Sequence, residues 1–373
     1  MIDKRKIRRP HPGKYIKDAL EALNMTSKEF ALRTGISERT ISDVINEKGN
    51  ITFDIASKLA SFFGSSINLW VNMQTAYDEY VLEATKEKEI EEDYQTIKEY
   101  KKYFLENGFI DSNDNHKTFV EKIKSKLQIN RLTFLQSENS FASLKETNNC
   151  LTANDLVAQN IWISYALTEA RKRTVQPYDR EKLLNSLVAL RSLILKKPQV
   201  FYPEIVDILS QCGVSFVIVP YLSKSNIYGA TKWLSSNIVM LAMSNKQERA
   251  DMFWFTLFHE ISHVLLEHKR YMILNQDGVD DKEADLLAKN ILISDDYWNE
   301  FVQVGDFAPK AIINFAKKLS ILPCIVLGRL HKEFPKMKYS SIDKELNAYY
   351  RYEDFGIAWL YKINIWPFLD NSL

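Results

Sequence analysis

Residues 253–269 read FWFTLFHEISHVLLEHK, and inside that stretch His259, Glu260 and His263 make a His-Glu-x-x-His. On a helix, positions i and i+4 lie one above the other on one face, so both imidazoles can reach a single tetrahedral metal ion. Glu260 stands one residue past the first histidine, where a carboxylate can take a proton from a water activated by the metal. The spacing points to zinc and a general base. Phe255, Leu257, Phe258, Ile261, Val264, Leu265 and Leu266 make the carrying helix, expected from about residue 247 to 268, apolar around most of its circumference. Such a helix belongs in a core, and buried imidazoles there need partners for both ring nitrogens.

The stretch GVDDKEADLLAKNILIS offers the third ligand. Residues 281–292 form a helix with an apolar face of Ala284, Leu287, Ala288, Ile291 and Leu292. At about 100° per residue, Asp281 falls near the edge of that face and Glu283 well away from it. Geometry favours Asp281 as the metal ligand, with Asp285 one turn on as the residue that orients a ligand histidine. A regular helix lets only one of Asp281 and Glu283 face the metal. Upstream, VSFVIVP, IYGATKW and NIVMLAM are rich in β-branched and aromatic residues, and predict a small antiparallel sheet.

A different chemistry occupies the N-terminal end. Residues 1–50 hold eleven Lys/Arg against seven Asp/Glu, with five of the bases in the first nine residues, a bias that favours an anionic partner. In TSKEFALRTGISERTISDVINEKGN, Thr26 and Glu29 form a capping box, Ser37 caps a second helix, and Gly35 stops the first where the chain must turn. Phe30, Ala31, Ile36, Ile41, Val44 and Ile45 supply the faces that pack the pair, which makes a helix-turn-helix. Helices at 14–23 and 53–62 flank it. The second helix of such a motif enters the major groove of double-stranded DNA by its first turn. Ser37, Glu38, Arg39, Thr40 and Ser42 are therefore the candidates for base and phosphate contacts, and Lys28 for phosphate.

Between these ends, residues 82–129 form a charged amphipathic stretch with Ile90, Tyr94, Ile97, Tyr100 and Phe104 at helical spacing, expected to be a linker helix. Residues 130–212 read as further helices broken at Pro177, Pro198 and Pro203. Cys150, Cys212 and Cys324 form no Cys-x-x-Cys pair, which argues against a disulfide framework or a cysteine-based zinc site. No apolar run approaches the ~20 residues that span a bilayer, and no apolar segment follows the basic N-terminus, so a cytoplasmic protein with no membrane partner is expected. The reading is a mainly α chain in four parts: a five-helix DNA-binding domain (1–80), a helical linker and middle region (81–212), an α+β domain (213–335) and a C-terminal extension (336–373).

Two family resemblances sharpen it. From HPG to LWVNMQTAYDEY, residues 10–80 closely resemble the DNA-binding domain of HigA-like antitoxins. That implies a homodimeric repressor that binds an operator and, in the family, often neutralises a partner toxin. Residues 214–335, with YGATKW, FWFTLFHEISHVLLEH, DDKEADLLAKNILIS and IINFAKKLSILPCIVLGRLHKE, look like the ImmA/IrrE metallopeptidases, which implies a zincin-like domain. The resemblance makes Glu260 the general base and His259 and His263 zinc ligands, with an acidic residue of a downstream E-x-x-A-[ND] motif as third ligand. This last position falls on Asp281, where the family usually has Glu. The shorter side chain means that the helix sits closer, that Glu283 substitutes, or that zinc is held more weakly. Two functions follow. The chain is a regulator with a working protease, acting on a partner protein or on its own linker at 82–129. Alternatively, it is an antitoxin-like repressor whose zincin-like domain only senses or binds a partner.

Overall fold

The computed structural model describes residues 9–137, 152–246, 248–268, 273–274, 279–335 and 346–348. The basic residues before Arg9, Cys150, the start of the long helix at 247 and most of the extension after 335 lie outside them. The chain is mainly helical and forms two compact units, Met1–Glu92 and Asp93–Leu373.

The first unit contains α1 (Pro12–Ala22), α2 (Ser27–Thr34), α3 (Glu38–Ile45), α4 (Phe53–Phe63) and most of α5 (Ile67–Ile97). Both N-caps form, but the capping box at Thr26 closes on one side only, since the Glu29 carboxylate pairs with Arg33 at 2.7 Å. Thr26 Oγ1 accepts from Glu29 N at 3.2 Å, and Ser37 Oγ accepts from Thr40 N at 3.1 Å, each satisfying a helix-end donor. Gly35 ends α2 in the left-handed region at φ 66°, a conformation that strains residues with a Cβ. Ile16, Phe30, Ile41, Val44, Leu59 and Trp70 are buried in the core these helices share. Gly13 matters for a different reason: a Cβ there would lie 1.8 Å from the carbonyl oxygen of Val44. The glycine lets the first turn of α1 rest on the backbone of α3. His11 stays buried, and its Nδ1 accepts from Gly13 N at 3.0 Å.

The second unit contains α6 (Lys101–Glu106), α7 (His116–Leu127), α8 (Ala153–Arg171), α9 (Arg180–Ser192) and α10 (Pro198–Gln211). Strands β1 (Val214–Val219), β2 (Gly229–Ser235) and β3 (Ile238–Ser244) follow, then α11 (Ala250–Leu265), β4 (Ile273–Leu274) and α12 (Val279–Leu292). Helices α13 (Asp295–Val304), α14 (Pro309–Leu319) and α15 (Pro323–Glu333) complete it. The sheet differs from the antiparallel expectation. Its order is β1-β3-β2-β4, with β1 parallel to β3 and the other pairs antiparallel. After β1, residues 220–228 carry the chain past one strand position before β2 begins, and the tight β2–β3 turn folds β3 into the gap. Strand β1 is buried along its whole length, with α8 and α10 packed on it, which protects an otherwise open sheet edge.

The linker expectation also needs correction. Residues 82–88 are exposed, but the apolar series turns inward as it proceeds: Ile97, Tyr100 and Phe104 are buried. Asp93, fully buried, is held by Lys124 and Arg131 and accepts from the backbone nitrogens of Leu132 (2.7 Å) and Thr133 (3.1 Å). Tyr103 donates to the carbonyl of Pro220 at 3.1 Å. The apolar positions after residue 93 thus pack onto the sheet-bearing unit. Cys212 and Cys324 are buried free thiols, and burial pushes Cys324 up to about 12, which makes it a poor nucleophile.

The two glycines of the first unit give a test. Gly35→Ala meets no neighbouring atom and should destabilise helices α1–α3 only by the left-handed strain, about 1–2 kcal/mol. Gly13→Ala must push two helices apart and should cost clearly more, read as faster amide hydrogen exchange across α1 and α3. Equal effects would contradict the close approach of α1 to α3.

Candidate metal centre and nucleic-acid interface

Helix α11 runs through the apolar core of the second unit, with Leu257, Phe258, Ile261 and Val264 fully buried. On it His259 is 5 % exposed and Glu260 and His263 0 %. The i, i+4 spacing brings His259 Nε2 to 3.0 Å from His263 Nε2. Helix α12 packs alongside and delivers Asp281, whose Oδ1 lies 3.3 Å from His263 Nε2 and 3.7 Å from His259 Nε2. Ligand atoms of these three residues all fall within 4.8 Å of one another. Ala284 and Ala288, both fully buried, keep the facing side of α12 slim, so an aspartate is long enough to reach.

The remaining ring nitrogens set the tautomers. Asp285 Oδ1 lies 2.8 Å from His259 Nδ1; a carboxylate there requires the proton on Nδ1 and turns the Nε2 lone pair toward His263 and Asp281. Burial alone drives the His259 pKa down, but the carboxylates of Asp281, at 3.7 Å, and of Asp285, hydrogen-bonded at 2.8 Å, outweigh it and carry it to about 10. The cluster therefore favours a positive charge at its centre. A divalent cation fits this donor set: two imidazoles and a carboxylate converge, one ligand is oriented from behind, and apolar walls surround them. Glu283 is 60 % exposed against 15 % for Asp281. Its Oε2 approaches His268 Nε2 at 3.8 Å, not the cluster.

Glu260 faces β2. Thr231 Oγ1 donates to its Oε2 at 2.6 Å, while Oε1 has no hydrogen-bond partner among the described residues. Complete burial raises the Glu260 carboxyl above the usual carboxylate range, with His259, His263 and the Thr231 hydroxyl pulling the other way. Gly229 makes room for it, since a Cβ there would lie 2.5 Å from Oε1 and 2.8 Å from Cγ. Gly229 and Thr231 were not singled out as site residues from sequence. Their signal was the YGATKW stretch, whose contact with α11 depends on strand placement. Chemically, the arrangement can bind a cation and hold one basic carboxylate oxygen beside it.

In the first unit, α3 carries the residues expected to read DNA. Ser37 and Thr40 are partly committed to the helix start, their hydroxyls 2.7 Å apart, and Asn46 Nδ2 donates to Ser42 Oγ at 3.3 Å. Glu38, Ser42 and, on α2, Lys28 are exposed. Arg39 is the long donor of the group: its side chain is 92 % exposed and only loosely paired, 4.0 Å from Asp43.

These features define a helix-turn-helix domain joined to a second, α+β unit with a histidine–carboxylate cluster. A helix-turn-helix family description matches residues 16–70. Over 68 residues the chain is 37% identical to the HTH-type transcriptional regulator YddM of Escherichia coli K12, a stretch that is 18% of this chain and 72% of that one. Over 59 residues it is 39% identical to Antitoxin HigA-1 of Vibrio cholerae serotype O1, covering 16% of this chain and 55% of the antitoxin. A HigA-family addiction module antidote protein from Coxiella burnetii is 32% identical over 23% of this chain and 95% of its own, with a TM-score of 0.22. Through its N-terminal domain, the chain belongs to the helix-turn-helix family of transcriptional regulators.

The contact of Gly229 with Glu260 gives a double-mutant test. Gly229→Ala should destabilise the protein by roughly 1–3 kcal/mol through overpacking. Placing it on a Glu260→Ala background removes the clashing atoms, so denaturant titration should show a much smaller increment there. Simple additivity would mean that the two residues do not share this space.

Proposed function

We propose that the chain is a DNA-binding transcriptional regulator of the HigA antitoxin type that carries a zinc-dependent peptidase centre. The observation that carries the second half is the convergence of His259, His263 and Asp281 with Glu260 buried beside them. The likeness of residues 214–335 to ImmA/IrrE metallopeptidases supports the same reading. His259, His263 and Asp281 would hold zinc, and Glu283 would not. Zinc supplies Lewis acidity, which makes water nucleophilic near neutral pH. The chain does the rest. Asp285 fixes the His259 ring, Thr231 pins one oxygen of Glu260, and the other oxygen accepts the proton of the attacking water as it adds to a peptide carbonyl. A raised Glu260 pKa makes the carboxylate a stronger base than an exposed one. The substrate class is a peptide bond of a partner toxin or repressor, or of the chain's own segment 82–129, of which residues 82–88 are exposed.

A second reading keeps DNA binding and makes the zincin-like domain a non-catalytic partner-binding or sensing module; the complete burial of Glu260 is the observation that favours it. Zinc content and cleavage separate the two readings. Wild-type protein should purify with close to one zinc per chain, Asp281→Ala should lose most of it, and Glu283→Ala should retain it. Glu260→Gln keeps the ligands and should keep zinc, yet abolish the new peptide termini that mass spectrometry finds in cells expressing the wild type. Identical termini in both strains would favour the non-catalytic module.

For DNA, the first turn of α3 would enter the major groove of a palindromic operator, two copies of the domain reading two half-sites. In selection from a random duplex pool, Arg39→Ala should lower discrimination at one base position by about 1–3 kcal/mol. Lys28→Ala should weaken binding to all sequences alike and reduce its salt dependence. Unchanged selectivity in the Arg39 variant would place the reading surface elsewhere.

A further inference from the structure

Helix α11 ends in a turn that its sequence does not favour. Leu266 caps it, and Glu267 then adopts the left-handed conformation at φ 53°, a position usually taken by glycine because a Cβ is strained there. The turn is fully bonded: Glu267 N donates to Val264 O at 3.1 Å, and His268 N donates to His263 O at 3.2 Å. Folding back this way sets the His268 ring beside the last turn of the helix, with its Nδ1 2.8 Å from His263 Nδ1. A non-glycine residue held in a strained conformation commonly marks a position whose placement matters.

We infer that His268 is the positioning residue for His263, accepting the His263 Nδ1 proton and so leaving Nε2 unprotonated for the metal. The inference rests on the zinc reading above and deepens it. Two imidazole nitrogens at 2.8 Å require one donor and one acceptor. If His263 binds metal through Nε2, its proton is on Nδ1, so His268 Nδ1 must be the bare nitrogen and its proton sits on Nε2. That nitrogen faces the Glu283 carboxylate at 3.8 Å, which favours the same tautomer. The centre then has two supports of different chemistry. Asp285 holds His259 from one side, and His268, steered by Glu283, holds His263 from the other. Glu283, the acidic residue of the motif that does not face the metal, gains a role without being a ligand.

The test measures zinc affinity of the full-length protein by competition with a chromophoric chelator. His268→Leu removes the acceptor and should weaken binding about 10- to 100-fold, the usual loss when a partner behind a metal ligand is removed. His268→Asn offers an amide oxygen near the place of Nδ1 and should recover affinity to within about threefold of wild type, which a merely space-filling role for His268 would not produce. Glu283→Gln should change it less than threefold. Nitrogen-15 NMR of the zinc-loaded wild type, which needs no variant, should show His263 protonated at Nδ1 and His268 at Nε2. Wild-type affinity in His268→Leu, an Asn variant as weak as the Leu variant, or a His268 protonated at Nδ1 would each overturn the inference. A wild type that takes up no zinc would instead overturn the metal reading on which it rests.

Discussion

Polar chemistry inside an apolar helix is the constraint that organises the second unit. Leu257, Phe258, Ile261 and Val264 draw α11 into the core, and that burial takes His259, Glu260 and His263 away from water. Unpartnered, such groups cost several kcal/mol each, so the surrounding elements are arranged to meet them. Strand β2 brings a hydroxyl at Thr231 and bare backbone at Gly229. Helix α12 brings two carboxylates one turn apart, and the chain leaving α11 turns back to offer a third imidazole. The sheet order follows the same logic, because placing β2 between β3 and β4 presents Thr231 to α11 while β4 pairs with Thr231 along its backbone.

Close helix packing decides which acidic residue enters the cluster. With Ala284 and Ala288 as the inward-facing residues of α12, the helix axes approach more closely than leucines would allow, and an aspartate then spans the gap. Glu283, two residues on, is carried about 200° around the helix and ends in solvent beside His268. Two positions along the helix thus separate a group inside the cluster from a group at its edge.

What was legible in the sequence was local. Thr26, Ser37 and Gly35 announce helix ends through bonds within four residues, and all three behave as expected. The His259–His263 pair and the Asp281–Asp285 pair are each set by helical period, so their faces could be read from spacing alone. What was not legible depends on contacts distant in sequence. The parallel pairing of β1 with β3, the packing of residues after 93 onto the sheet unit, and the fit of Gly229 against Glu260 all join segments tens of residues apart. His268 was close in sequence but escaped for another reason: it lies past the helix end, where period no longer predicts direction and a left-handed Glu267 sets it instead.

The absent side chain at position 229 has a consequence for the history of such proteins. A strand position facing a packed helix ordinarily accepts alanine or serine, and drift would supply them; here the Glu260 carboxylate must shift to admit either. The constraint lasts only while residue 260 stays large. In a descendant that had lost the glutamate, position 229 would be released from its restriction and would accumulate small side chains within the same lineage. The pair of positions therefore keeps a joint record, readable in relatives from sequence alone, of whether selection still acts on the carboxylate.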